Sequence, residues 1–353
     1  MDNQKRIIRD HTINSEDSLA QILQKLEAIE GAAYKKIVFV VDEENNCMGS
    51  ITDGDVRRAL MQNKSGSAGD IMNKSFIFLK DVHIGNDEFN EYIEEGIYII
   101  PLISEDGKIA DIIDLKVTRS NLKIDAFILA GGKGIRLRPL TENLPKPMLK
   151  VGDKPILEHN IDRLKKYGVK NVHISLNYLG DRITEFFGNG ESKSLQINYV
   201  NEDKPLGTIG SMSLVDSFEN DYVLVMNSDL LTDLDLEDFV NDAIKKGSDM
   251  QMATIPYSYS VPYAIVEGEN GIISGLSEKP TYTYFANAGI YLVKTSLIEL
   301  IAKNEKFDAT DLVELLISQE RKVTSYPIRS YWLDIGRMED FKKAQEDINH
   351  IHL

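Results

Sequence analysis

The chain has 353 residues, enough for two or three domains, with 42% hydrophobic residues and no low-complexity tract. Its formal charge of −16 argues against a nucleic-acid or anionic-membrane surface, so a phosphate site must gather its cations locally. One cysteine, Cys47, excludes an intrachain disulfide and fits a reducing compartment. Met1 to Asp10 is charged and lacks an apolar signal core, and no run of about 18 apolar residues occurs, so the expectation is a cytoplasmic protein with no membrane partner.

The first elements form a repeat. Leu19, Ile22, Leu23, Leu26 and Ile29 share one helical face, with Ser15 or Asp17 as candidate cap and Gly31 as the stop. Ile37–Val41 is a buried strand, Met48–Thr52 a second, and Asp55–Met61 begins a helix. A weaker copy follows after about 60 residues: strand Phe76–Phe78, helix Asn86–Glu95, strand Ile97–Ile103 and strand Ile109–Leu115.

These residues, with Val40-Val41-Asp42 and Gly49-Ser50-Ile51-Thr52-Asp53-Gly54-Asp55, resemble a pair of CBS motifs. The resemblance implies an α+β module over residues 1–120 that serves regulation or oligomerisation. It further implies an adenine nucleotide whose ribose is held by Thr52 and Asp55. The second copy has Asp111-Ile112-Ile113-Asp114 where the Gly and Thr should be, so at most one such site is intact. A purely structural pair that mediates dimerisation is the equal alternative.

From Ile124 strands alternate with helices, as in a doubly wound α/β domain. Phe127–Ala130 is strand-like and empties into Gly131-Gly132-Lys133-Gly134, then Arg136, Arg138 and Pro145-Lys146-Pro147. Glycines let backbone N–H groups approach a ligand, and fixed cations complete a polyphosphate cradle. Taken alone, such a stretch is equally a tight turn with solvated arginines. Helix Pro155–Tyr167, strand Val172–Leu176, helix Asp181–Phe187, strand Gln196–Val200 and strand Tyr222–Met226 follow. Asn177, the loop after Val200 and Asp229 lie at strand ends, where open α/β sheets bind ligands. Thr208 alone reads as a helix cap, Asp229 alone likewise, and Trp332 as a core aromatic. Tyr257, Tyr259, Tyr263, Tyr282 and Tyr284 either line a pocket or cover the sheet.

The stretch Leu129-Ala130-Gly131-Gly132-x-Gly134-x-Arg136-Leu137-x-Pro139-Leu140-Thr141, with Pro145-Lys146-Pro147, resembles the signature of the sugar-1-phosphate nucleotidyltransferases. So do Pro205-Leu206-Gly207-Thr208, Ser228-Asp229, Glu278-Lys279-Pro280 and Trp332-Leu333-Asp334-Ile335-Gly336. Ile135 replaces the usual Thr or Ser, Ser228 a glycine and Met338 a proline. The resemblance implies a Rossmann-like catalytic domain over residues 124–353. It assigns Leu129, Gly131, Gly132, Gly134 and Gly207 to the nucleotide and Asn177, Glu278, Lys279, Asn287 and Gly289 to the sugar phosphate. Asp229 and Asp334 would hold Mg²⁺, and Arg136 and Lys146 would be catalytic.

A CBS pair ahead of such a domain resembles the guanylyltransferases fused to CBS motifs, including those acting on glucosamine 1-phosphate in legionaminic acid synthesis. The implied reaction joins GMP from GTP to a sugar 1-phosphate. Mannose or heptose 1-phosphate, and UTP, CTP or dTTP, are the alternatives. A homo-oligomer is expected. No repeat-rich tail follows Asp334, so a fused acetyltransferase is not expected. From another class, a catalytically degenerate nucleotide sensor built on the CBS pair would fit Ile135 and Ser228.

Overall fold

Residues 3–62, 66–80 and 84–351 are described by a computed structural model. Met1, Asp2, 63–65 and 81–83 of the expected 1–120 module, and 352–353, lie outside the described residues. The chain divides into two units: Met1–Lys123 with Asp162–Lys170 and Phe187–Ile197, and Ile124–Ile161 with Asn171–Phe186 and Asn198–Leu353.

The first unit opens with a helix that the sequence reading missed, α1 (Asn3–Asp10), whose only apolar residues are Ile7 and Ile8. Then come β1 (Thr12–Asn14), α2 (Leu19–Ala28), β2 (Ile37–Val41), β3 (Cys47–Thr52), α3 (Asp53–Met61) and α4 (Ala68–Ile71). The second repeat holds β4 (Leu79–Lys80), α5 (Asn86–Glu94), β5 (Ile99–Ile103) and β6 (Ile109–Asp114). Each repeat makes a three-stranded sheet, parallel for its first pair and antiparallel for its second. Both antiparallel pairs break register at the same place, between Val40 and Val41 and between Leu102 and Ile103.

Two details of this unit differ from expectation. Ser18, not Ser15 or Asp17, caps α2: its N–H donates to Gln21 Oε1 at 2.9 Å, the reciprocal bond of a capping box. Asp17 instead accepts from the Asn14 N–H at 2.9 Å. Phe76–Phe78 is not a strand. The pairing falls on Leu79–Lys80, and the Phe76 and Phe78 rings pack on each other with centroids 5.5 Å apart.

From residue 124 the chain runs β7 (Asp125–Leu129), β8 (Lys150–Val151), β9 (Lys154–Pro155), α6 (Ile156–Lys166), β10 (Asn171–Leu176), α7 (Gly180–Phe187) and β11 (Gln196–Asn201). It continues through β12 (Tyr222–Asn227), β13 (Leu230–Thr232), α8 (Leu236–Lys246), β14 (Met250–Ser260), β15 (Ile265–Glu269), β16 (Ile272–Ser277) and β17 (Thr281–Lys294). It closes with α9 (Ala309–Ser318), β18 (Val323–Pro327), β19 (Trp332–Asp334) and α10 (Met338–Asp347). Seven strands form one sheet in the order β11-β10-β7-β12-β17-β14-β18.

β7 is an interior strand, paired in parallel with β10 and β12 on its two edges. Ala126, Phe127 and Ile128 are accordingly fully buried, which is why the sequence there is a continuous apolar run. Buried Asp125 at its start is satisfied by the N–H groups of Glu219 (2.8 Å) and Asn220 (2.9 Å) and by Asn220 Nδ2 (3.1 Å). Because β7, β10 and β12 are parallel, their carboxyl ends share one sheet edge. That edge carries the glycine loop, Asn177 and Asp229.

Candidate active site

The glycine loop is built by close approach as much as by flexibility. Gly134 has φ +58°, and a Cβ there would lie 3.0 Å from Thr141 Cγ2 and 3.1 Å from Lys146 Cβ. Thr141 locks the turn by donating to the Gly134 carbonyl at 2.8 Å. A Cβ on Gly131 would lie 3.3 Å from Asn177 Cβ and 3.5 Å from Glu202 Oε1, whereas one on Gly132 would meet nothing within 4 Å. Gly132 therefore faces open space. Leu129 is fixed between Ser175 and Asn227 by the strand register, and the Ser228 N–H donates to its carbonyl at 3.2 Å. Ser228 is not among the residues with positive φ, so a serine stands where the family has glycine without left-handed strain.

A cavity of about 430 Å³ opens in front of this loop, lined by Gly132, Gly134, Arg136, Lys146, Asp229 and Gly336 among others. Ile135, also on its wall, is 61% exposed and brings an apolar surface where a hydroxyl was expected. Lys146 is held in a short 3₁₀ turn, Lys146–Met148, and is buried. Its Nζ donates to Asp229 Oδ2 and lies 3.9 Å from Asp334 Oδ1. The Arg136 Nη2 lies 3.5 Å from where a Gly336 Cβ would sit, so Gly336 leaves room for the guanidinium.

The two carboxylates are brought together by the β13·β19 pairing. Leu230 faces Asp334 and Leu231 faces Leu333, and the Ile335 N–H donates to the Asp229 carbonyl at 3.1 Å. Burial, followed by the nearby charge of Asp229, raises the Asp334 carboxyl above the ordinary range, against the lowering influence of Lys146 and Arg136. Asp229 Oδ1 and Asp334 Oδ1 are buried without a hydrogen-bond partner. Two orphaned carboxylate oxygens beside a phosphate-sized cavity fit a hard divalent cation that takes its remaining ligands from phosphate and water. No group of three or more metal-ligating side chains occurs among the described residues.

Glu202 was passed over in the sequence as part of a glycine-bearing loop. Its Oε2 accepts from the Leu206 N–H at 3.2 Å, and its Oε1 is the atom that a side chain at Gly131 would meet. Burial raises its pKa, and hydrogen bonds from the Leu206 backbone, Ser211 and Ser175 pull it down. In the sequence it stands three residues before Pro205, beside Asp203, with nothing local to set it apart. Gly207 itself has φ +79°, and a Cβ there would lie 2.7 Å from Asp308 Oδ1, so packing against the 307–308 loop already demands the glycine. Thr208 caps α9 from outside, its Oγ1 accepting from the Ala309 N–H at 2.6 Å.

The residues expected at the sugar phosphate divide into two groups. Asn287 and Gly289 lie beside the end of β12: a Cβ on Gly289 would sit 2.5 Å from Asn227 Nδ2, and the Gly289 N–H donates to Asn287 Oδ1 at 2.9 Å. Trp332 ties β19 to the same segment by donating from Nε1 to the Ala288 carbonyl at 3.0 Å. Asn177 lies against Gly131 instead. Glu278 and Lys279 are not brought to this cluster; both are exposed in the turn between β16 and β17. At about 3.3 Å per residue, the strand from Thr281 puts that turn on the order of 26 Å along the chain from Gly289.

In the first unit, Thr52 and Asp55 meet, but on each other. Thr52 donates to Asp55 Oδ2 from its N–H at 2.8 Å and from Oγ1 at 2.6 Å, and Arg58 reaches Asp55 Oδ1 at 2.5 Å. Burial pushes the Asp55 carboxyl up, and these bonds and the Arg58 charge outweigh it, so it lies below the ordinary range. Asp114, at the Thr52 position of the second repeat, pairs with Lys35 at 2.7 Å. A cavity of about 480 Å³ within this unit is lined by Lys35, Asp111, Asp114 and Lys165, among others, and not by Thr52 or Asp55. Cys47 is partly buried, and burial pushes its thiol up to about 11.

Comparison with known proteins agrees with this geometry. The nucleotidyl transferase family model matches residues 125–350, and the CBS domain model matches residues 5–62. The mannose-1-phosphate guanylyltransferase of Mycobacterium tuberculosis is 32% identical over 233 residues, which is 64% of this chain and 65% of that protein. The bifunctional protein GlmU of Methanocaldococcus jannaschii is 34% identical over 230 residues, 63% of this chain and 54% of that protein. The chain thus spans between about half and two thirds of the length of these relatives. HddC from Yersinia pseudotuberculosis, crystallised with GMP-PN, superposes with a TM-score of 0.51 at 25% identity, over 64% of this chain and 99% of HddC.

Proposed function

The chain belongs to the nucleotidyl transferase family, and from that premise we propose that it transfers a nucleotidyl group, GMP from GTP, to a sugar 1-phosphate and releases pyrophosphate. The observation that carries this reading is one cavity lined by Arg136, Lys146, Asp229 and the Gly132–Gly134 loop, with Asp334 Oδ1 3.9 Å from the Lys146 Nζ. Glucosamine 1-phosphate is the acceptor favoured by the likeness to the CBS-fused enzymes. Mannose 1-phosphate is the alternative, in keeping with the name of the mycobacterial relative.

The attacking group is already an anion, so no general base is needed, and alignment and charge neutralisation dominate. The Gly131–Gly134 backbone admits the triphosphate, and Arg136 at the cavity wall neutralises charge that accumulates on the leaving pyrophosphate. Lys146 faces the reacting phosphates from a buried 3₁₀ turn that leaves it few conformations. Asp229 and Asp334 would hold Mg²⁺, which would supply positive charge against the phosphate. Asn287 and Gly289 line the acceptor side. We assign residues 124–353 to catalysis and residues 1–120 to regulation or assembly. An adenine nucleotide would have to displace the Thr52–Asp55 contact to reach those groups.

The base is read by Glu202. A carboxylate accepts two hydrogen bonds, which suits the paired N1–H and N2–H donors of guanine; uracil and thymine offer one donor beside an acceptor. Glu202→Gln replaces one acceptor with a donor. It should lower kcat/KM for GTP at least tenfold and raise it for UTP or dTTP. Unchanged base preference in steady-state assays would contradict the assignment. Asp229→Asn should abolish pyrophosphate release while leaving the fold intact by circular dichroism.

A further inference from the structure

The loop that follows Glu202 is held by a segment 100 residues further along the chain. The Phe307 N–H donates to the Leu206 carbonyl at 2.9 Å, and the Ile209 and Gly210 N–H groups donate to the Phe307 carbonyl at 3.1 and 3.0 Å. Side chains add a reciprocal pair. Asp308 Oδ1 accepts from the Thr208 N–H at 2.8 Å, while Thr208 Oγ1 donates to the same oxygen at 3.3 Å and accepts from the Ala309 N–H at 2.6 Å. Both glycines of the loop are fitted to this contact. A Cβ on Gly207 would lie 2.8 Å from the Phe307 carbonyl oxygen, and one on Gly210 would lie 2.6 Å from that of Glu305. Ser213 closes the far side, donating to the Gly210 carbonyl at 2.6 Å and accepting from the Asn304 N–H at 3.2 Å.

Two features connect this clamp to the candidate active site. Asp308 stands at the N-cap of α9, and its Oδ1 serves the N–H of Thr208, so one carboxylate ties the start of a helix to the loop. Leu206, which is fully buried, is the relay. Its carbonyl accepts from Phe307, and its own N–H donates to Glu202 Oε2 at 3.2 Å. Hydrogen bonds weaken steeply with misalignment, so a shift of Leu206 passes to Glu202. A side chain that selects among ligands must be held to within about 0.5 Å by neighbours that are themselves locked.

We propose that Asp308 is a positioning residue for base selection, setting Glu202 through Thr208 and Leu206 rather than acting on the nucleotide itself. The proposal rests on the reading of Glu202 as the group that recognises guanine.

The test is the ratio of calorimetric affinities for GTP and UTP in the presence of Mg²⁺, for wild type, Glu202→Gln, Asp308→Ser and the double variant. Serine keeps a capping oxygen at the start of α9 but is one bond too short for Thr208. Asp308→Ser should lower the GTP preference at least fivefold, with unchanged circular dichroism. The double variant should show only the shift of Glu202→Gln, because both substitutions act on one path. Thr208→Val, which removes both bonds of the hydroxyl, should move the ratio in the same direction and carries the test if Asp308→Ser does not fold. If Glu202→Gln changes the ratio while the folded Asp308 and Thr208 variants do not, or if the shifts simply add, the proposal is overturned and the base reading stands. Equal weakening of both nucleotides by Asp308→Ser would also overturn it and leave Asp308 a helix cap. A ratio that Glu202→Gln leaves unchanged would overturn the base reading and this proposal together.

Discussion

A methyl group on Gly134 would press on Thr141 and Lys146 and would have to adopt φ +58°. Gly134→Ala should therefore cost about 1–2 kcal/mol in urea denaturation and more in turnover, because the displaced neighbour is Lys146. A stability equal to wild type would show that the loop relaxes freely. His173 makes the opposite kind of prediction. It is buried in β10 against Phe127 and Phe218, and burial lowers its pKa against the pull of Asp125 and Glu219. A lowered histidine contributes stability above its unfolded pKa of about 6.5 and loses it as pH falls through the folded value. The melting temperature should drop on acidification, and His173→Phe should flatten that dependence. An unaltered pH profile in the variant would contradict the account. At this scale the sequence motifs were informative about proximity, since Arg136, Lys146 and Asp229 line one cavity and Asp334 lies 3.9 Å from Lys146. Glu202 was not singled out, because a lone carboxylate before a turn has no local signature. Its meaning comes from Gly131, which is distant in the chain.

The element that joins the site is the short β13·β19 ladder, which sets Asp334 beside Asp229. Leu333 is 8% exposed in the cluster with Leu231, Ile335 and Ile156. Leu333→Ala should cost about 2–4 kcal/mol and weaken divalent-cation binding, measured by Mn²⁺ titration, although Leu333 is not a ligand. Cation affinity at the wild-type level would show that the ladder does not position Asp334. The Trp332-Leu333-Asp334 motif was legible, but its pairing with Leu230–Thr232 was not, because three-residue strands far apart carry no periodic signal. The helices α2, α5, α6 and α7 and the strands β2, β10, β11 and β12 were found close to their observed bounds, where the apolar period is clear, whereas no bounds were read for α8, α9, α10, β14 or β17. The Phe76–Phe78 strand was wrong because aromatic propensity was read without a partner strand, and α1 was missed because two isoleucines make no stripe. Tyr257, Tyr259, Tyr263, Tyr282 and Tyr284 were left between lining a pocket and covering the sheet, because sequence alone does not say what an apolar face meets.

At the scale of the whole molecule, the chain joins two physically different units. The first is a doubled α+β repeat whose two halves share a register break, although the CBS model matches only residues 5–62. Its ribose candidates are engaged as a helix cap. The second unit gathers, in a strongly acidic chain, the few cations a triphosphate needs. Lys146 lies against both members of the acidic pair. The account therefore rests on one chemical act, which is measured most directly as Mg²⁺-dependent pyrophosphate release. GTP, UTP, CTP, dTTP and ATP would each be offered with glucosamine 1-phosphate and with mannose 1-phosphate, to wild-type protein and to Asp229→Asn. The account predicts release with GTP and one of the two sugars, and none from the variant. Release that survives Asp229→Asn, or none from wild type in any combination while adenine nucleotides bind the first unit, would contradict it and leave the chain a nucleotide sensor.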